Sequence, residues 1–176
     1  LHNKNNLIKK NNPKLVIGYH GNKIHLEAMN YRISNALNDL KNKIDYEFWV
    51  MYDIEGLGKW SESGLVGVNV RHIQFDEKNY ESYMSKVDIG IVPQLIPVRK
   101  NKFLKWAISS LFGKFNERSD NFFFRLKETT NNGRAYVFAQ YSIPIVADMT
   151  PSSCSLLGEN EHGYVAYSES SWYKFL

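Results

Sequence analysis

Cysteine is nearly absent from this chain. Cys154 stands alone, so no internal disulfide can form, and no Cys/His spacing suggests a zinc site. No apolar run approaches the roughly 18 residues needed to cross a bilayer. The opening, Leu1-His2-Asn3-Lys4-Asn5-Asn6, lacks the apolar segment of a signal peptide, and a cytoplasmic protein is the default expectation. The glycine-rich fingerprint of a dinucleotide dehydrogenase is missing. So is any Ser-His-Asp or Cys-His arrangement visible by motif, and the Asp and Glu residues show no metal-cluster spacing, so no metal and no catalytic residue is assigned. There is no internal repeat.

What is present is an ordinary globular composition. With 43% hydrophobic and 23% charged residues, the 176 positions suffice for one domain with a real core. The formal net charge is +4. Much of it lies in two clusters, Lys4/Lys9/Lys10/Lys14 and Arg99/Lys100/Lys102/Lys105. Nucleic acid, acidic lipid and a phosphorylated ligand each suit such charge, and composition alone does not choose among them.

Residues 1–13 are Asn- and Lys-rich and aperiodic, which reads as a linker or tail ahead of a domain at 14–176. Leu15-Val16-Ile17-Gly18-Tyr19 is a short buried strand ending in a turn at His20-Gly21-Asn22. Leu26, Met29, Ile33, Ala36, Leu37, Leu40 and Ile44 recur at helical spacing, with Glu27, Arg32, Asn35 and Lys41 between them, and predict one amphipathic helix. Further strands are expected at 46–52, 70–75, 88–93, 143–148 and 163–167, and helices at 80–87, 133–141, 152–157 and from 170. Alternating strands and helices imply βαβ crossovers: a Rossmann-like, doubly wound, mainly parallel sheet of about six strands. Ligands of such sheets sit beyond the carboxyl ends of the strands, which directs attention to loops 19–25, 52–58, 75–80, 93–99 and 148–153. The stretch at about 95–132 is too long for a loop within the unit and reads as an insertion. In it Leu104, Ala107, Ile108, Leu111, Phe112 and Phe115 share one helical face, with Lys102 and Lys105 opposite. The chain stops as a helix begins, so a fragment of a longer protein is expected.

Three segments, in order, resemble the C-terminal, donor-binding domain of GT-B glycosyltransferases of the family-4 type. Ile17-Gly18-Tyr19-His20-Gly21-Asn22-Lys23-Ile24-His25 is similar to the family's first strand and glycine turn. Tyr83-Met84-Ser85-Lys86-Val87-Asp88-Ile89-Gly90-Ile91-Val92-Pro93 is similar to its small helix, aspartate, strand and proline. Asn132 to Ala147 parallels its "GxPVVA" strand with the preceding helix, and Gly158-Glu159-Asn160-Glu161-His162-Gly163-Tyr164 its "GENG" turn. Trp172 falls where the family often has a tryptophan.

The resemblance implies a retaining, metal-independent transferase that uses a nucleoside-diphosphate sugar as donor substrate and needs no cofactor. Its acceptor is a glycan or a lipid-linked glycan of cell-envelope polysaccharide, held by an N-terminal acceptor domain missing from this chain. The domain alone would then be inactive. The implied partners include no nucleic acid. An interfacial helix at 99–115 would place the protein peripherally on the inner face of the membrane, whereas a helix packed on the domain or on the missing half would not.

The resemblance also assigns residues. Arg134 takes the place of the family's basic residue and would face the donor diphosphate from a helix N-terminus, the plain alternative being a solvated arginine. Gly21 would let the backbone approach the ligand. Lys23, His20 and His25 share that loop as charge or polar contacts. Asp148, Ser152 and Ser153 lie on the loop after the fifth strand, where Ser152 and Ser153 are equally good helix caps. The glutamate that holds the donor ribose in the family is replaced by Val137, and its partner falls on Thr129 beside Glu128. A non-catalytic nucleotide- or partner-binding module is therefore the alternative. A receiver-like signalling domain is disfavoured, because Gly18-Tyr19-His20 stands where such domains need acidic residues.

Overall fold

The computed structural model describes residues 14–29, 31–95, 132–158 and 161–176. Six strands form one sheet: β1 (Leu15–His20), β2 (Tyr46–Tyr52), β3 (Asn69–Gln74), β4 (Ile89–Val92), β5 (Ile145–Asp148) and β6 (Gly163–Ala166). Every pairing is parallel and the order is β3-β2-β1-β4-β5-β6. The expected Rossmann-like sheet is what the chain forms. The tail at 1–13, the expected helix at 99–115, Glu128 and Thr129 lie outside the described residues.

Period-two alternation assigns the strand side chains to two buried faces. Ile17 and Tyr19 of β1, Phe48, Val50 and Tyr52 of β2 and Ile91 of β4 enter one core. Val16, Trp49, Met51, Val92, Ile145 and Ala147 enter the other. The first face is covered by α1 (Lys23–Glu27), α2 (Tyr31–Lys41) and α7 (Glu169–Phe175), the second by α4 (Glu77–Met84), α5 (Gly133–Gln140) and α6 (Pro151–Leu157). A short helix, α3 (Ile54–Leu57), follows β2.

Three local expectations are corrected. The single helix predicted from Leu26 to Ile44 is two, α1 and α2, because the Ala28 N–H turns back to the Ile24 and Leu26 carbonyls and closes α1. Its apolar spacing is nonetheless the buried stripe, as Leu26, Met29, Ile33, Ala36, Leu37 and Leu40 are all buried, while Ile44 is exposed beyond the helix end. Arg32, expected on the polar face, is 1% exposed; it donates to the Tyr167 carbonyl and lies 3.9 Å from the Asp148 carboxylate. The helix expected from Tyr80 begins at Glu77, because the Asp76 side chain accepts from the Lys78 N–H.

Gly18 and Gly90 are register partners where β1 meets β4. A methyl group on Gly18 would lie 2.5 Å from Val87, and one on Gly90 2.5 Å from the Phe138 ring. Bare backbone at this pair brings α4 and α5 close against the strands that carry the site.

Candidate functional site

In this strand order β1 and β4 are neighbours whose following segments diverge, one toward β2 and the other toward β5. The crevice between them is the switch point where a ligand meets the carboxyl ends of the strands. Arg134 occupies it. Its Nη2 donates to the Pro93 carbonyl at 2.9 Å, just past β4, and lies 3.4 Å from His25 Nδ1 on α1. Its guanidinium stands 5.8 Å from the centroid of the Tyr19 ring at the end of β1. Nη1 is buried and has no hydrogen-bond partner among the described residues. Burial pushes the guanidinium pKa down, so the charged form is held at a cost that a bound anion would relieve.

Gly21 makes this placement feasible. Its φ of +141° suits glycine, and a Cβ there would sit 2.7 Å from Arg134 Cδ. The Tyr19 hydroxyl donates to the Asn22 carbonyl at 2.7 Å, and the Asn22 side chain accepts from the Ile24 N–H, so the turn is closed on both sides. Burial raises the Tyr19 pKa to about 12, the nearby Arg134 charge opposing it, and the phenol stays protonated at neutral pH.

His20 is a packing residue as much as a polar one. Its ring meets Phe138 and Tyr80 edge-on, at centroid distances of 4.7 and 5.8 Å. Nε2 faces the Arg134 carbonyl at 3.2 Å and Nδ1 the Tyr80 hydroxyl at 3.5 Å, which selects the neutral Nε2–H tautomer. Burial lowers its pKa to about 4. Lys23 turns away from the crevice: its amine donates to the Leu57 carbonyl at 2.8 Å and pairs with Glu27 at 3.4 Å.

The loop after β5 serves the frame. One oxygen of Asp148 accepts from the Gln94 and Leu95 N–H groups at 2.9 and 3.1 Å, and the other faces Arg32. Thr150, rather than Ser152 or Ser153, caps α6, accepting from the Ser153 N–H with Pro151 following in the first turn. The Ser153 hydroxyl is buried between Thr150 and Gln94. Ser152 is half-buried, its hydroxyl 3.2 Å from that of Thr150 and its carbonyl accepting from Asn132. The Gln94 amide donates to Asn132 Oδ1 at 3.1 Å, so residues from the two edges of the insertion meet through their side chains.

The structure thus gathers Arg134, Gly21, His20 and His25, leaves Ser152 at the margin, and commits Lys23, Asp148 and Ser153 to other partners. A cavity of about 700 Å³ adjoins Gly21. It is lined by His20, Gly21 and Asn22, by Asp53 and Leu57, by Phe75, Glu77, Tyr80 and Glu81, and by Tyr141. Loops 52–58 and 75–80 pointed to it, whereas nothing in sequence pointed to Tyr141 at the far end of α5. Among the described residues no cluster of His, Cys, Asp and Glu could hold a metal ion, and no helix is long and apolar enough to cross a membrane. No family model matches the sequence, and no curated protein matches it.

Proposed function

We propose that this domain binds the nucleoside-diphosphate sugar of a GT-B, family-4-like glycosyltransferase. The observation that carries the reading is Arg134: a half-buried arginine at the switch point, anchored through Nη2 to Pro93 and with its buried Nη1 lacking a partner among the described residues. A diphosphate supplies the negative charge for which that group is arranged, and it is the leaving group on which charge builds as the glycosidic bond breaks. The acceptor hydroxyl, held by a second domain, bonds to the anomeric carbon as the bond from that carbon to the diphosphate oxygen breaks, and its proton passes to the departing diphosphate. Asn132 at the start of α5 spends its side chain on Gln94 and Ser152 rather than capping the helix, which favours an anion at that end.

One observation favours the non-catalytic alternative. Val137 is half-buried against the second core, where the family's glutamate would meet the ribose.

Calorimetry with UDP, GDP, ADP and their sugar conjugates tests the proposal. Charge-assisted hydrogen bonds are worth about 1.5–3 kcal/mol, so Arg134→Ala should weaken diphosphate binding by roughly ten- to a hundredfold. Arg134→Lys should keep part of the affinity, and Val137→Glu should tighten binding if the ribose is within reach. Unchanged affinity in Arg134→Ala removes the reading. Binding of a nucleotide but not of its sugar conjugate supports the non-catalytic module.

A further inference from the structure

Gly21, which lines the cavity, packs on the stem of Arg134 just outside it. Glu77 and Glu81, one turn apart on α4 and both exposed, line the same cavity, as do the aromatic residues Phe75, Tyr80 and Tyr141. Phe75 and Tyr80 have ring centroids 6.0 Å apart, Tyr80 and Tyr141 6.4 Å apart, both pairs edge-on. Phe75 and Tyr141 are exposed although apolar or aromatic. Asp53 is already engaged, accepting from the Gly56 N–H and the Gln74 amide. Among the described residues, no hydrogen bond or ion pair engages the side chains of Glu77 and Glu81.

Resting on the nucleotide-binding reading above, we propose that Glu77 and Glu81 make this cavity selective for guanine over uracil as the base of the nucleoside diphosphate. A planar base stacks on exposed aromatic faces whatever its identity, so the rings give affinity without choice. Choice comes from the edge. A carboxylate offers acceptors only. Guanine presents two adjacent donors, N1–H and the 2-amino group, which one carboxylate receives together. Uracil presents a single N–H flanked by carbonyl oxygens that a carboxylate repels, and adenine places an acceptor beside its amino group. The same carboxylates repel phosphate, so the anionic end of the ligand is directed toward Arg134 and the base toward α4. A volume near 700 Å³ is ample for a nucleotide.

Calorimetric titration of the 176-residue chain with GDP, UDP and ADP tests this, alongside Glu77→Gln, Glu81→Gln and the double variant. GDP should bind at least about tenfold more tightly than UDP or ADP, the discrimination a bidentate contact to a base supplies. An amide offers one donor and one acceptor, the pattern uracil can match. The double variant should therefore weaken GDP, spare UDP and bring the two within about threefold. UDP or ADP binding as tightly as GDP overturns the proposal, as does a preference for GDP that survives the double substitution. If all three bind equally and Arg134→Ala weakens them all, the base assignment fails while the nucleotide site stands. If none binds, both fail.

Discussion

His20 shows what burial does to a single titratable group. The imidazole is 8% exposed, bonded in its neutral form and surrounded by Phe138 and Tyr80, so its pKa falls from the ordinary 6.5 to about 4. Between those values the unfolded chain takes up a proton that the folded chain refuses. The domain is therefore at full strength above about pH 6.5 and loses stability as pH falls through that interval, by on the order of 3 kcal/mol at the lower end. The exposed Asp45, whose pKa is held at about 2 by Lys14 and Lys41, keeps its contribution across this interval and loses it only at more acid pH. Urea unfolding at pH 7 and pH 5 should show the loss, and His20→Gln, which retains a donor for the Arg134 carbonyl, should flatten it. An equal slope in wild type and variant would show that His20 is not the group responsible.

Between elements, the decisive tie is Asp148 at the end of β5. One of its oxygens holds the backbone leaving β4 and the other faces Arg32 of α2, which itself donates to the carbonyl of Tyr167 ahead of α7. The segment leaving β4, helix α2 and, through Arg32, the segment ahead of α7 are tied together at this carboxylate. Asp148→Ala removes a charge partner of Arg32 and the acceptor of two N–H groups, and should cost about 3–5 kcal/mol, as breaking a buried ion pair does. Asp148→Asn keeps an acceptor and should cost less. Chemical denaturation measures both, and a loss below about 1 kcal/mol for the alanine variant would show the tie to be incidental. Because the same loop presents the Pro93 carbonyl to Arg134, the alanine variant should also bind nucleoside diphosphate less tightly.

Across the whole molecule the two cores share every central strand. The first holds Trp60 and Trp172 and the second Trp49, so tryptophan fluorescence reports each face separately. A sheet whose alternate residues fill both cores cannot lose one without baring the strands of the other, and unfolding should be a single cooperative transition. Variants in which only Trp49 or only Trp172 remains among the four tryptophans should give denaturation midpoints that differ from each wild-type-matched circular dichroism curve by no more than error. Two separated midpoints for the two faces would show that the cores unfold independently.

The apolar strands, their spacing and the intervening helical stripe were legible because period and hydrophobicity are local properties that burial on a parallel sheet demands. On that basis the sequence determined the sheet type, the approximate strand positions and the loops at its carboxyl edge. The resemblance drew attention to Arg134, Gly21 and His20, whose protein partners the sequence did not name. The sequence placed Arg32 on a solvated face and Asp148 beside a ligand, because a charged side chain reads as exposed until its counter-charge is known, and these two are 116 positions apart. The wall that Tyr141 adds to the cavity was beyond reach for the same reason. Tyr80 and Tyr141 come together only when α4 and α5 pack on Gly18 and Gly90, and no periodicity along the chain records which helices will share a face. Strand order, the buried ion pair and the aromatic wall are properties of the closed sheet, decided by how distant segments fill one volume rather than by what any segment prefers alone.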